Sequence, residues 1–287
     1  MSLNPPLDPG RVGESFGPHR HRWDPDQVAL YALACGATER ELDLLLESRG
    51  PTVLPTFSVL SAWAPVTEGI AALGGDLLTI VHGAQRCRVH RPLQAAAEVD
   101  TTAKLHRVYD KGTGALAVFT TESTDGDGLL AETEWQIFYR GLGGFGGERG
   151  PKAPDHLPPE GTPPDAVYED AVPSYQALLY RLVSGDKNPI HAEPAIAQAV
   201  GFPKPILHGL CTLGFAARAL AHIVADDDAA RIAEIEGRFA RPVFPGESIR
   251  TEAWNTARGQ FFRTWVPARN EDAIRLGRVR LFTRVDR

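Results

Sequence analysis

The segment SGDKNPIH, residues 184–191, places a carboxylate, an amide and an imidazole within six positions, at Asp186, Asn188 and His191. Asn188 and Pro189 break regular structure, so the segment is expected to be a turn that exposes these side chains rather than burying them. PILHG, residues 205–209, then leads into a long apolar helix. Pro205 is well tolerated near a first helical turn, which would put the Gly209 N–H among the donors that a helix cannot satisfy internally. Glycine lets a ligand approach that donor, and the helix dipole favours negative charge there. Asp186 and His191 sharing one water could take a proton from it and deliver one to a neighbouring carbon. Asn188 and the Gly209 N–H would meanwhile hold a carbonyl becoming enolate-like. Such a set fits reversible water addition to an α,β-unsaturated carbonyl. No serine or cysteine has an evident nucleophile elbow, so acyl transfer is less well supported. S-G-D and D-K-N-P are also ordinary turn chemistry, so spacing alone leaves a solvated loop as an open reading. His208 reads as lining the helix start rather than doing chemistry, and Asp226, Asp227 and Asp228 as a solvated loop after the helix.

Two similar sets of elements must position these groups. Residues 206–225 carry apolar side chains at helical spacing, with a short helix over 193–200 stopped by Gly201. Strand patterns follow at 233–240, 248–254, 261–266 and 276–285. In the first half, residues 56–73 form the equivalent apolar segment, which Pro65 should kink or shorten. Strand patterns follow at 77–89, 98–108, 115–123 and 129–139. YALACGA, residues 31–37, aligns with YRLVSGD, residues 180–186, and Pro55 then aligns with Pro205. The chain reads as a duplication in which Ala37 stands where the second copy has Asp186, so the chemistry belongs to one copy and substrate binding can fall to the other. Between them GLGGFGGERGPKAPDHLPPEGTPP, residues 141–164, reads as a linker, dividing the chain into 1–140, 141–164 and 165–287. It contains a literal G-x-G-x-x-G at Gly141, Gly143 and Gly146, but the prolines that follow forbid the helix a dinucleotide site needs.

Composition narrows the partners. The chain has 287 residues, 43% apolar and 23% charged, with a formal charge of −6, which argues against a nucleic-acid surface. Cys35, Cys87 and Cys211 lack metal or disulfide spacing and read as buried thiols in a reducing cytoplasm. The N-terminus has no secretory pattern, and no apolar run approaches the ~20 residues of a membrane span. A cytoplasmic protein with no nucleic-acid or membrane partner is expected.

The run YRLVSGDKNPIHAEPAIAQAVGFPKPILHGLCT, residues 180–212, resembles the signature of the MaoC-like hydratase 2 family, the (R)-specific 2-enoyl-CoA hydratases. VLPTF at 53–57, IVHGAQ at 80–85, RPL at 91–93, DKGTG at 110–114, GGFGG at 143–147 and FARPVFPGE at 239–247 are similar to the longer two-repeat form of that family. That form occurs as the hydratase domain of peroxisomal multifunctional enzymes and as free-standing bacterial proteins. The resemblance implies an α+β double hot-dog fold, each repeat an antiparallel sheet wrapped around a long central helix, with only the C-terminal repeat catalytic. It implies Asp186 and His191 as the catalytic pair for syn addition of one water, and Asn188 and the Gly209 amide as ligands of the thioester oxygen. Acyl-CoA contacts would fall on His82, Gly83, Lys111, Lys187, Pro189, Ile190 and Phe239, with Lys111 meeting a CoA phosphate. The implied activity is a trans-2-enoyl-CoA hydratase, equivalently a (3R)-hydroxyacyl-CoA dehydratase, acting without metal or organic cofactor, as a homodimer. An acyl-carrier-protein dehydratase, a thioesterase and a non-catalytic acyl-CoA binder are the alternatives on the same fold. Pro65 and the short apolar side chains of 62–72 are expected to alter the acyl tunnel.

Overall fold

The computed structural model describes residues 6–76, 79–152 and 161–283. The expected strand residues 77, 78, 284 and 285 and the linker residues 153–160 lie outside the described residues. Chain order in the first half is β1 (Ser15–Trp23), α1 (Pro25–Ala34), α2 (Leu42–Leu45), α3 (Ser58–Leu73), β2 (Ile80–Val89), β3 (Ala97–Asp110), β4 (Gly114–Asp125) and β5 (Gly128–Arg140). The second half repeats it with β6 (Ala166–Ala171), α4 (Gln176–Ser184), α5 (Pro194–Ala199), α6 (Gly209–Val224), β7 (Ile232–Phe239), β8 (Ser248–Thr256), β9 (Gly259–Val266) and β10 (Glu271–Leu281). These ten strands form one antiparallel sheet in the order β1-β3-β4-β5-β2-β7-β10-β9-β8-β6. The two expected half-sheets are thus joined at a seam, where β2 pairs with β7 from Ala84 opposite Arg238 to Arg88 opposite Glu234. α3 packs on the first five strands and α6 against β6, β7, β8 and β10. Among the described residues, no helix is long and apolar enough to cross a membrane.

The duplication is visible in the packing. α1 and α4 lie against each other, and the aligned Tyr31 and Tyr180 rings stand 6.2 Å apart. Each helix ends on a glycine at positive φ, Gly36 at 85° and Gly185 at 75°, the conformation that a side chain with a Cβ resists. α6 is buried at every residue from Leu210 to Ala221, which fits a helix sheathed all round by protein.

That buried stretch includes Arg218, which is 1% exposed. Its guanidinium donates to the Cys35 carbonyl and to the carboxylates of Glu41 and Asp170. His222 also reaches Glu41, at 2.8 Å. A cation from α6, a carboxylate from the first half and one from edge strand β6 therefore lock the halves together.

Three sequence expectations are corrected. Pro65 does not shorten α3, which runs from Ser58 to Leu73 through it. Pro65 is buried against the core, so packing outweighs the local cost of a proline in a helix. Pro205 is not in a first turn: α6 begins at Gly209, with His208 as its N-cap and extended backbone before it. Strands β1 and β6 lie outside every expected strand. Both are sheet edges, β1 carrying Gly17 and Pro18 and β6 alternating half-buried and exposed residues, a pattern too polar to read as a strand.

The glycine-rich segment after β5 has a definite role. The buried carboxylate of Asp110 accepts from the N–H groups of Gly112, Gly144 and Gly146, each at 2.8 Å. Those bonds, led by Gly144 and Gly112, hold its carboxyl below the ordinary range. The loop is an anion nest filled by the protein's own side chain, with Gly146 of the G-x-G-x-x-G among its donors.

Candidate active site

Backbone bonds fold the 184–191 segment onto the entry of α6. Ile206 N–H donates to the Ile190 carbonyl at 3.2 Å, and the His191 ring Nδ1 meets the Ile206 carbonyl at 2.9 Å. A carbonyl only accepts, so Nδ1 carries the hydrogen and Nε2 is left with a lone pair. Asp186 Oδ1 accepts the Asn188 N–H at 3.0 Å, an Asx turn that sets the carboxylate's direction. Asn188 Oδ1 accepts the Ile190 N–H at 3.2 Å, which leaves its amide NH₂ as a donor. The expectation of a wholly exposed loop is corrected: Asn188 is exposed and Asp186 half-buried, but His191 is 8% exposed. The chain turns back beneath Ile206 and carries the imidazole inward. Burial lowers the His191 pKa from its ordinary value, partly offset by the Asp186 charge and the Ile206 bond.

One cavity of about 940 Å³ takes in Asp186, Asn188, Ile190, His191, His208 and Gly209 from the second half. Trp63, Val66 and Ile70 of α3, His82 and Gly83 of β2 and Trp135 and Ile137 of β5 complete it from the first half. Gly209 opens α6, so its N–H belongs to the first turn that no intrahelical carbonyl reaches. A Cβ on Gly209 would stand 3.3 Å from the Phe239 ring. The absence of a side chain therefore keeps that amide open beside an aromatic wall. His82 stacks on Trp135 at 5.2 Å and meets Phe239 edge-on at 5.1 Å. Burial pushes its pKa down to about 4, so it is a neutral polar group in an aromatic box. Gly83 sits at a register shift between β2 and β5.

Toward the basic side of the cavity, Lys111 lies near Arg149 and Arg238 and donates to the Arg149 carbonyl. Burial, then those two cations, lower its pKa. Lys187 and Pro189 lie outside the cavity lining: Lys187 is exposed and donates to the Arg181 carbonyl, and Pro189 opens the single turn that carries His191. Asp186, His191 and His208 each offer a ligand atom within 4.8 Å of the others, but the two imidazoles stack face to face at 3.7 Å and 23°. Their lone pairs lie in nearly parallel planes and do not converge as a tetrahedral metal site requires.

Residues 21–141 match the MFE-2 hydratase 2 N-terminal domain and residues 156–274 the MaoC like domain. The 3-hydroxyacyl-thioester dehydratase Y of Mycobacterium tuberculosis is 41% identical over 276 residues, 91% of this chain and 92% of that protein. The chain belongs to the MaoC-like hydratase 2 family. Mouse peroxisomal multifunctional enzyme type 2 is 36% identical over 90% of the chain, which spans only 36% of that longer protein. Among solved structures, a MaoC-like dehydratase from Phytophthora capsici superposes with a TM-score of 0.85 at 28% identity, over 98% of this chain and 99% of that one. A Mycobacterium tuberculosis protein with a double hotdog fold, 14% identical, superposes with a TM-score of 0.53 over 94% of each chain. The hydratase 2 chain is thus a double hot-dog of the α+β class.

Sequence reasoning missed Trp63, Trp135 and Arg238 in the cavity lining, while His208, read as lining the helix start, is the N-cap of α6 and also lines the cavity. Trp63 lies beside Gly185, the residue before Asp186: a Cβ added there would stand 3.7 Å from its ring, a proximity between halves that no local pattern announces. The Pro55–Pro205 alignment sets His208 opposite Ser58, so the sequence carries no signal; only the structure shows His208 and Phe57 each immediately before a long helix.

Proposed function

We propose that this hydratase 2 chain adds water reversibly to trans-2-enoyl-CoA thioesters, giving (3R)-hydroxyacyl-CoA. The observation that carries the reading is the His191 tautomer: Nδ1–H is committed to Ile206, so Nε2 presents a lone pair beside Asp186 in a cavity shared by both halves. A water held by Asp186 and His191 donates its two hydrogens to them. Its oxygen bonds to C3 as the C2–C3 π pair moves toward C2 and the thioester oxygen. The Asn188 NH₂ and the Gly209 N–H receive that oxygen's growing charge. The proton taken by the pair then passes to C2, and the same groups deliver oxygen and hydrogen, so both arrive on one face. The scheme uses no metal or organic cofactor. The apolar first-half wall accommodates the acyl group, and Lys111 with its basic neighbours faces the CoA phosphates. The same reading takes the protein as a cytoplasmic homodimer, for which sedimentation should give twice the 31.1 kDa of the chain.

The test is loss of enoyl-thioester absorbance with trans-2-enoyl-CoAs of increasing length, the product trapped by an (R)-specific or an (S)-specific hydroxyacyl-CoA dehydrogenase. Trapping by the (R)-specific enzyme alone is expected. Release of free thiol without hydration, or binding without turnover, would replace this reading with a thioesterase or a carrier.

Two further outcomes follow. Because His191 is held below the ordinary histidine value of 6.5, its Nε2 lone pair survives mild acidification. Turnover should stay level from about pH 8 to about 6.5 and fall only below that, as protonation removes the acceptor. An acid limb centred above 6.5 in the pH–kcat profile would contradict it. Lys111→Ala should raise KM for an enoyl-CoA by roughly two- to fivefold, the scale of one partly exposed ion pair. KM for the N-acetylcysteamine thioester, which lacks phosphates, should not change; equal effects on both substrates would remove Lys111 from the phosphate site.

A further inference from the structure

In the structure His208 takes the place before its long helix that Phe57 takes in the non-catalytic half, although the Pro55–Pro205 alignment sets it opposite Ser58. Each precedes its long helix, and each packs on the aligned tyrosine: Tyr31 meets Phe57 at 5.2 Å and Tyr180 meets His208 at 5.0 Å. An aromatic ring is therefore what packing asks of this place, and phenylalanine supplies it. An imidazole adds a cost: His208 is 1% exposed, and its Nδ1 has no hydrogen-bond partner among the described residues. The two halves thus differ at this structural place, as they differ in sequence at Asp186 and Ala37.

What the nitrogen atoms gain is contact with both members of the reacting pair. His208 Nε2 lies 3.4 Å from the Asp186 carbonyl oxygen, which can only accept, so Nε2 carries the hydrogen. The ring face lies 3.7 Å from that of His191. Burial and the neighbouring His191 push His208 well below its ordinary pKa, and a helix N-terminus also opposes an imidazolium, so it stays neutral in one tautomer. The bond to Asp186 is long, as such bonds often are before substrate closes a site.

We propose that His208 is a positioning residue, holding the Asp186 backbone with Nε2–H and the His191 ring by stacking, so that carboxylate and imidazole converge on one water. The inference rests on the hydratase reading above. The experiment measures kcat, KM and thermal midpoint for wild type, His208→Phe and His208→Gln with an enoyl-CoA. His208→Phe restores the packing of the first half but has no donor. It should keep or raise the thermal midpoint while losing at least about tenfold in kcat, the scale of one lost hydrogen bond, with KM little changed. His208→Gln returns an N–H donor and should recover most of kcat despite poorer packing. If His208→Phe does not fold, His208→Leu serves as the donor-less variant. Wild-type kcat in the donor-less variant, or glutamine no better than phenylalanine or leucine, would overturn the inference while leaving the hydratase reading intact. A wild-type protein that hydrates no enoyl-CoA would remove both.

Discussion

Asp186→Asn lowers kcat by about 10³-fold, within the range that a positioned acid or base contributes, and leaves KM and the thermal midpoint close to wild type. The substitution is well matched to the site because the Asx turn survives it. Asparagine Oδ1 can accept the Asn188 N–H that Asp186 Oδ1 accepts at 3.0 Å, so the loop keeps its shape while the carboxylate loses its negative charge. His191→Ala should cost as much in turnover, but it also strands the Ile206 carbonyl and removes the ring on which His208 stacks. A drop in thermal midpoint is expected there, from an unsatisfied buried acceptor worth about 1–3 kcal/mol. The asparagine variant therefore carries the chemical conclusion, and a kcat within tenfold of wild type in steady-state hydration would take Asp186 out of the mechanism.

The second large effect concerns stability. Arg218→Met leaves Glu41 and Asp170 facing each other in the interior without their cation, and breaking a buried pair from one side costs about 3–5 kcal/mol. Burial already lifts the Asp170 carboxyl to about 6 with Arg218 present. Against the same desolvation, His222 and Arg218 hold Glu41 down to about 2. In the wild type, Glu41 therefore contributes stability above its unfolded value of 4.5 that is lost only as pH falls toward 2. Asp170, already above its unfolded 3.8 with Arg218 present, destabilises the fold when ionised and is relieved by protonation; without Arg218 it rises further, while Glu41 keeps His222. Both proteins should gain stability as pH falls from 7.5 toward 5.5, and Arg218→Met should gain more. Denaturant midpoints at pH 7.5 and 5.5 check this, and a variant that weakens further in acid would show that the guanidinium does not neutralise this pair.

The candidate segment was legible because Asp186, Asn188, His191 and Gly209 sit within one short stretch, and the structure brings them to one cavity. The burial of His191 was not, since it depends on the chain doubling back so that Ile190 and Ile206 pair. Central strands and both long helices were readable from apolar periodicity. Edge strands β1 and β6 were not, because one side of each has no neighbour and its composition follows solvent. Arg218 illustrates the remaining gap: an arginine in an apolar helix is conspicuous, but its partners lie 48 and 177 residues away in the sequence. The glycines of 141–147 were readable as glycines, while the carboxylate that fills their nest comes from the far end of β3.

The β2–β7 seam bears on what holds this chain together as an object. Ala84 to Arg88 pair with Glu234 to Arg238 in mid-sheet, so separating the halves would bare two long strands whose free N–H and C=O groups invite pairing with any other chain. Covalent connection through 141–164 is then secondary to the sheet itself. Two polypeptides divided within that segment should recognise each other and co-purify as one complex, while either alone should aggregate; halves that stay soluble and monodisperse apart would show the seam to be dispensable.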